Sequence, residues 1–416
     1  MDRRKLLVIV GSGASIDFGM PCVPQVGEFL RIAAQPNFSL RADRGSNLYR
    51  YIEQQIAEYW RAHVPPHLGK TPQFEDVLYA IFALAAAFPA GRYTSALGAL
   101  IGLRALPELA NPIGGRTQVD GHLVSHLGGA MVDALLDEFR KRCRTLAAGK
   151  PEQLRKAGAF FEALSEQFEI AVVTLNYDDV VYRSFQGTET GFDPVTGRFD
   201  EIRILQRSTW PCFLHLHGSV HFDMREGEGL HDIHWNEDLE GPFQQNAWGR
   251  SGLSSPEGAE FPMSSIIAGY GKTTQILRRP FRTYYGELDR LAVDCDAALF
   301  MGYGFGDIHL NMAFERFRNG RRRPAVVIDY APDSAMTAGG VEWNEMHKAV
   351  TSAMGVLDTR QKSMRWLGHE APGTVGELKK LKAFEFSSDP ETPLAIWYDG
   401  MIGACEHPQK VLDMLQ

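Results

Sequence analysis

The feature that most constrains this chain lies at its start. Leu6-Leu7-Val8-Ile9-Val10 is an unbroken apolar run that meets Gly11-Ser12-Gly13-Ala14-Ser15 at once. A strand with one wet face alternates apolar and polar residues. A continuous run instead suits a strand covered on both faces, as in a parallel sheet between helices. The same signal returns at Ile170-Ala171-Val172-Val173-Thr174-Leu175, at Phe213-Leu214-His215-Leu216-His217, at Ala297 to Met301 and at Ala325 to Asp329. Each run ends in polar or glycine residues, and ligands of open α/β sheets sit at the carboxyl ends of strands. The expected fold class is α/β: a Rossmann-like, mostly parallel sheet with a helical insertion and a C-terminal extension.

At 416 residues the chain has room for about two or three structural units. Residues 1–45 and 165–335 carry the sheet pattern. Residues 46–164 read as a helical insertion. Tyr49, Tyr51, Ile52, Ile56, Tyr59 and Trp60 recur at helical spacing, as do Phe74, Val77, Leu78, Ile81 and Phe82 after Thr71-Pro72. Two more helices are expected over Leu123 to Leu146 and Leu154 to Phe168. Residues 223–262, rich in Gly, Glu, Asp and Pro, read as a long irregular excursion. The pattern leaves the fold of residues 336–416 open.

The net charge of −8 argues against a general nucleic-acid binder. Five scattered cysteines without a Cys-x-x-Cys pair exclude a zinc ribbon and a disulfide framework, and fit a reducing cytoplasm. The basic start before Leu6 mimics a signal peptide, but the apolar run stops at Gly11 without a cleavage site. No apolar stretch is long enough to span a bilayer. Arg316, Arg318, Arg321, Arg322 and Arg323 read as a solvated helix end.

Five segments could carry chemistry, each with a plainer alternative. Gly11-Ser12-Gly13-Ala14-Ser15 could let phosphate approach backbone N–H groups at a helix start, or be only a turn; Ile16 stands where the usual third glycine would be. Thr174-Leu175-Asn176-Tyr177-Asp178 could hold a ribose hydroxyl or a water with a carboxylate behind it, or merely cap a helix. His215-Leu216-His217-Gly218-Ser219 alternates so that both histidines share a strand face, and histidine is the natural base near neutrality. The alternatives there are a core histidine, or a metal held with His221, Asp223, His231, Asp232 and His234. Gly302-Tyr303-Gly304-Phe305-Gly306-Asp307 could floor a phosphate site or form a flexible turn. Asp329 could accept a ribose diol or cap a helix.

The order of these segments, with Gly19-Met20-Pro21 after the first, resembles the sirtuin family, and more closely the sirtuin-like domains of bacterial antiphage defence proteins. Phe74-Glu75-Asp76-Val77-Leu78 and Gly302-Tyr303-Gly304-Phe305-x-Asp307-x-His309-x-Asn311 have counterparts there. The resemblance covers residues 5–35 and about 165–332. It implies that Gly11, Ser12, Gly13, Ala14 and Ser15 line the NAD phosphates and adjoining ribose, with Pro21, Thr174 and Gly218 at the pocket. It further implies Asn176 at the nicotinamide ribose or water, His217 as base and Asp178 as pocket support. Gly302, Tyr303 and Gly304 would face phosphates, and Asp329 the adenosine ribose.

Deacetylating sirtuins carry a four-cysteine zinc module that this chain cannot form, and their Asp-Phe-Arg is replaced by Cys22-Val23-Pro24. The expectation is therefore an NAD+ hydrolase that releases nicotinamide and ADP-ribose, with NAD as substrate and no zinc. Alternatives are an NAD or ADP-ribose sensor, an NAD-dependent deacylase, an ADP-ribosyltransferase and a metal-dependent hydrolase. The resemblance also implies a gated antiphage effector, homo-oligomeric, with a HerA-type ATPase as partner or alternatively a short Argonaute, and with no membrane.

Overall fold

The computed structural model describes residues 3–64, 71–88, 104–185, 187–226, 231–244, 246–247, 263–268, 275–314, 317, 321–335, 374–386 and 393–416. The strands in chain order are β1 (Arg4–Val10), β2 (Phe168–Thr174), β3 (Cys212–His215), β4 (Phe222–Glu226), β5 (His231–Trp235), β6 (Asn246–Ala247), β7 (Met263–Ser264), β8 (Ala297–Met301), β9 (Ala325–Ile328), β10 (Glu385–Phe386) and β11 (Leu394–Trp397). Seven of them form one sheet in the order β10-β11-β9-β8-β1-β2-β3. Every pairing in it is parallel except β10 with β11. Val8 at the centre faces Val172 on one side and Leu299 on the other.

The unbroken apolar runs are explained by cover on both faces. In β1, Leu6, Val8 and Val10 enter one hydrophobic cluster, and Leu7 and Ile9 enter the other. The same alternation divides β2, β8 and β9. The first face is covered by the helices Val23–Phe38, Leu48–His63, Phe74–Ala87, Gly121–Gly149 and Pro151–Gln167. Leu48, Leu78, Leu127 and Leu135 thus share a core with Val8, so the insertion helices close over the sheet. The helix Phe281–Asp294 covers the other face through Phe281, Tyr284, Leu288 and Leu291.

The helix boundaries follow local signals. Asn47 and Asp120 cap the helices that follow them, accepting from the N–H groups of Arg50 (3.0 Å) and Leu123 (2.9 Å). Pro151 begins the next helix, where its missing N–H costs nothing. Parts of the expected insertion, residues 65–70 and 89–103, lie outside the described residues.

Three expectations change. The excursion after residue 222 contains an antiparallel hairpin of β4 and β5, with Asp223 opposite His234; residues 227–230, 245 and 248–262 of it are not described. In the C-terminal region, residues 336–373 and 387–392 lie outside the described residues. Its described remainder adds β10 and β11 to the sheet, and its last helices place Met401, Val411, Leu412 and Leu415 in the same core as Phe160 and Leu164. Arg323 is buried, not solvated: its guanidinium donates to the carbonyls of Ala292 (3.3 Å), Val293 (2.6 Å) and Phe317 (2.5 Å). It thereby caps the end of the helix Phe281–Asp294. Arg321 and Arg322 are exposed, and Arg316 and Arg318 are not described. No helix among the described residues is long and apolar enough to cross a membrane.

Trp397 on β11 is buried against Phe384 and His407. Trp397→Ala should lower the unfolding free energy by about 3–5 kcal/mol in chemical denaturation. A loss below about 1 kcal/mol would mean that the C-terminal strand is no part of the cooperative sheet.

Candidate functional site

β1 lies between β2 and β8. The chain leaves β1 to build β2 and β3 on one side, then returns to lay down β8, β9 and β11 on the other. That reversal marks the place, at the carboxyl ends of β1 and β8, where open α/β sheets bind their ligands. There the two glycine turns meet. Gly11 N–H donates to Met301 O at 2.9 Å, Gly13 N–H to Gly302 O at 3.0 Å and Ala14 N–H to Gly11 O at 3.0 Å. A Cβ on Gly11 would lie 2.6 Å from Gly302 O, and one on Gly302 would lie 1.9 Å from Ala14 N. Gly302 also has φ +60°. These glycines are needed because two backbones touch.

This differs from a phosphate cradle built on the first turn. The N–H groups of Gly11, Gly13 and Ala14 are already engaged, and Ser12–Phe18 is a seven-residue 3-10 helix. Ser12 remains exposed. Gly304 and Gly306 are different: both are exposed, neither has a positive φ, and an added Cβ would meet nothing within 4 Å. Their missing side chains leave the space beside them open.

Beyond β2, the Asn176 amide donates to Gly11 O (2.9 Å) and Ser15 Oγ (3.0 Å). Ser15 Oγ donates in turn to Asp178 Oδ1 at 2.9 Å. Both Nδ2 protons of Asn176 are thus engaged, leaving Oδ1 as its unengaged acceptor. Thr174 Oγ1 accepts from Asn176 N–H at 3.0 Å, so Thr174 supports the turn from within. Asp178 is buried, and burial pushes its carboxyl up to about 7 against the opposing hydrogen bonds from Ser15 and Val180. Next to it Asp179 is fully buried, with Arg183 Nε at 2.6 Å and His221 Nε2 at 3.3 Å. Burial alone would raise Asp179, but His221 and Arg183 outweigh it and hold the carboxyl below its ordinary value.

β3 ends at His215, and His217 lies in the turn beyond it. The two histidines have separate surroundings. His215 is fully buried among Phe213, Phe222, Tyr182 and Trp235, with neither ring nitrogen hydrogen-bonded. Burial pushes it down to about 3, so it is a neutral core ring. His217 Nε2 instead lies 3.1 Å from Asp307 Oδ2, and both side chains are buried. Gly218, with φ +101°, lets Ser265 O approach to 2.7 Å of where a Cβ would stand, and Ile267 N–H donates to His217 O at 2.8 Å.

Other expected residues have different surroundings. Tyr303 is turned into the core beside Phe300 and Phe305, with its hydroxyl on Asn311 Oδ1 at 2.7 Å. Of Gly302, Tyr303 and Gly304, Gly304 alone offers open backbone. Pro21 is buried ahead of the helix Val23–Phe38. Asp329 ends β9 half-buried. Its Oδ1 accepts from Tyr330 N–H at 2.8 Å, and burial raises its carboxyl. The histidines and aspartates considered for a metal are dispersed: His221 lies on Asn236 O, Asp223 on Arg225, and His215 in the aromatic core. Among the described residues no group of three or more such ligands comes together. Sequence reasoning assigns Asp307 no role. The one signal for it is its place in the motif after β8, five residues beyond Gly302.

Residues 170–347, less than half of the chain, match the model of the SIR2-like domain. The match begins inside β2 and takes in Asn176, His217 and Asp307. No curated protein matches. Among solved structures, one described as the structural basis for the mechanism and regulation of Sir2 enzymes is similar at 12% identity and TM-score 0.33, covering 85% of this chain and 92% of that one. A Sir2 homologue–NAD complex is similar at 9% identity and TM-score 0.33, covering 85% of this chain and 91% of that one.

Two expected outcomes follow from the glycines and the buried carboxyl. Gly302→Ala should cost about 4 kcal/mol or more, whereas Gly304→Ala should stay within about 1 kcal/mol of wild type by denaturant titration. Asp178, with its pKa raised in the fold, contributes its full stability below the unfolded pKa of about 4 and loses it as pH rises towards 7. Asp178→Asn, neutral throughout, should therefore gain on wild type across that window, by about 1.4 kcal/mol for each pH step of one crossed. Stability measured at pH 5 and pH 8 should show the larger relative gain at pH 8.

Proposed function

We propose that the chain is an NAD+ hydrolase that cleaves the bond between nicotinamide and ribose. The observation that carries this reading is the placement, beyond the carboxyl ends of the paired strands β2 and β3, of an unengaged Asn176 carbonyl and a buried His217 on a carboxylate. It is supported by the SIR2-like match over the same residues and by the open backbone at Gly304 and Gly306.

Nicotinamide in NAD+ is a cationic leaving group and departs neutral with the bonding pair, so little acid assistance is needed. Positive charge develops on the ribose, as in glycoside hydrolysis. Asn176 Oδ1 accepts from the attacking water or a ribose hydroxyl, and Ser15 and Gly11 fix the amide that presents it. Water adds to the anomeric carbon, and His217 takes the proton that it releases. Ser12 and the backbone at Gly304 meet the phosphates, and Asp329 receives the adenosine ribose. The products are ADP-ribose and nicotinamide.

Hydrolysis is favoured over peptide deacylation by the cysteines. Cys143, Cys212, Cys295 and Cys405 are buried in the two cores, where they serve packing. An unregulated hydrolase would deplete its host of NAD. The reading therefore includes a gate, with self-assembly and a HerA-type ATPase partner in antiphage defence.

The purified chain, alone and with the product of the neighbouring gene, should release nicotinamide and ADP-ribose from NAD+. Asn176→Ala and His217→Ala should each lower turnover by roughly 10²-fold or more while thermal unfolding stays near wild type. Full activity in His217→Ala would refute the assignment. NAD binding without cleavage under either condition would favour a sensor.

A further inference from the structure

The carboxylate of Asp307 is held at both oxygens. Oδ2 faces His217 Nε2 at 3.1 Å, and Oδ1 accepts from the N–H groups of His309 (3.0 Å) and Leu310 (3.2 Å) at the start of the helix Ile308–Phe314. The loop that delivers it is itself fixed. Tyr303 Oη donates to Asn311 Oδ1 at 2.7 Å and lies 3.1 Å from Asp307 O, and Asn311 Nδ2 donates to Phe305 O at 2.8 Å. Phe305 is kept at φ +54°, a conformation that costs a residue with a Cβ about 1–2 kcal/mol. Strain held by several hydrogen bonds at one short loop marks a geometry that the surrounding structure enforces.

A neutral imidazole carries one N–H, and an ionised carboxylate only accepts. Pairing through Nε2 therefore puts the proton on Nε2 and leaves the lone pair on Nδ1. We propose that Asp307 is the positioning residue of His217: it selects the Nε2–H form, orients the ring and stabilises the imidazolium formed when the base takes a proton. Its catalytic consequence rests on the NAD+ hydrolase reading, but the tautomer it enforces does not. Tyr285 and Tyr303 lie close enough for the charge of Asp307 to bear on both hydroxyls. Burial raises both, and the charge of Asp307 adds to the effect, so they stay neutral beside it. Glu75 also bears on Tyr285.

Asp307→Asn isolates the role. The amide oxygen can keep both bonds to the helix N–H groups, which turns the NH₂ towards Nε2. A flipped amide would instead aim NH₂ at two N–H donors. The substitution thus preserves the cap while demanding the opposite tautomer. The experiment is ¹⁵N NMR of the histidine-labelled full chain, with His217 assigned by its loss in His217→Gln, beside steady-state NAD+ cleavage. Wild type should show the neutral ring protonated at Nε2, and Asp307→Asn should move that proton to Nδ1. The variant's kcat should fall roughly 100-fold while KM stays within about 3-fold, with unfolding near wild type. An Nδ1–H ring in wild type, or an unchanged tautomer in the variant, would overturn the proposal. So would a switched tautomer with undiminished kcat. Wild type that holds the Nε2–H form yet leaves NAD+ intact would refute the hydrolase reading and uphold the pairing.

Discussion

The contact on which the rest depends is backbone against backbone, where the Gly11–Gly13 turn lies on Gly302. The distances allow no side chain on either partner. Because the turns belong to β1 and β8, they sit at the one place where the sheet's connections diverge. The pairing of β1 with β2 brings the residues after β2 to the same turn: Asn176 bonds to Gly11 O, and Ser15 bridges Asn176 to Asp178.

The same contact redistributes the anion-binding capacity of the turn. A glycine turn after a first strand is usually valued for its free N–H groups. Here three of them are consumed in joining the turns. On the proposed reading, phosphate recognition therefore falls to Ser12 and the unobstructed backbone near Gly304 and Gly306. In this arrangement one set of glycines is structural and another, a few residues away, leaves room. Sequence alone cannot distinguish them, because both read as glycine after a strand.

Much of the fold was legible because burial on two faces leaves a plain mark. The apolar runs of β1, β2, β8 and β9 lie where the pattern put them, and the long helices differ by a few residues at their ends. β11 escaped because Leu394 to Trp397 is short and follows polar sequence, so its burial comes from β9 and from tertiary packing. The β4–β5 hairpin escaped because its polar composition outweighed the alternation of Phe222, Met224, Ile233 and Trp235. At the site, Asn176, Asp178 and His217 were legible as polar residues at strand ends. Asp307 was not, since nothing in its local sequence says that a loop ninety residues later returns to a histidine after β3.

The pair His215 and His217 shows why residue type underdetermines chemistry. Alternation predicts one shared face for both, but the strand ends at the first and the chain turns before the second. His215, walled by aromatic rings, is driven neutral by desolvation and can neither hold a proton near neutrality nor bind an anion. His217, equally out of solvent, has a carboxylate within hydrogen-bond distance, and a buried imidazole beside a carboxylate can carry a proton without leaving an uncompensated charge. Burial is common to both; the partner separates them. Since that partner arrives from the loop after β8, and that loop rests through Gly302 on the first turn, the pairing of His217 traces back to the same turn that Asn176 bonds.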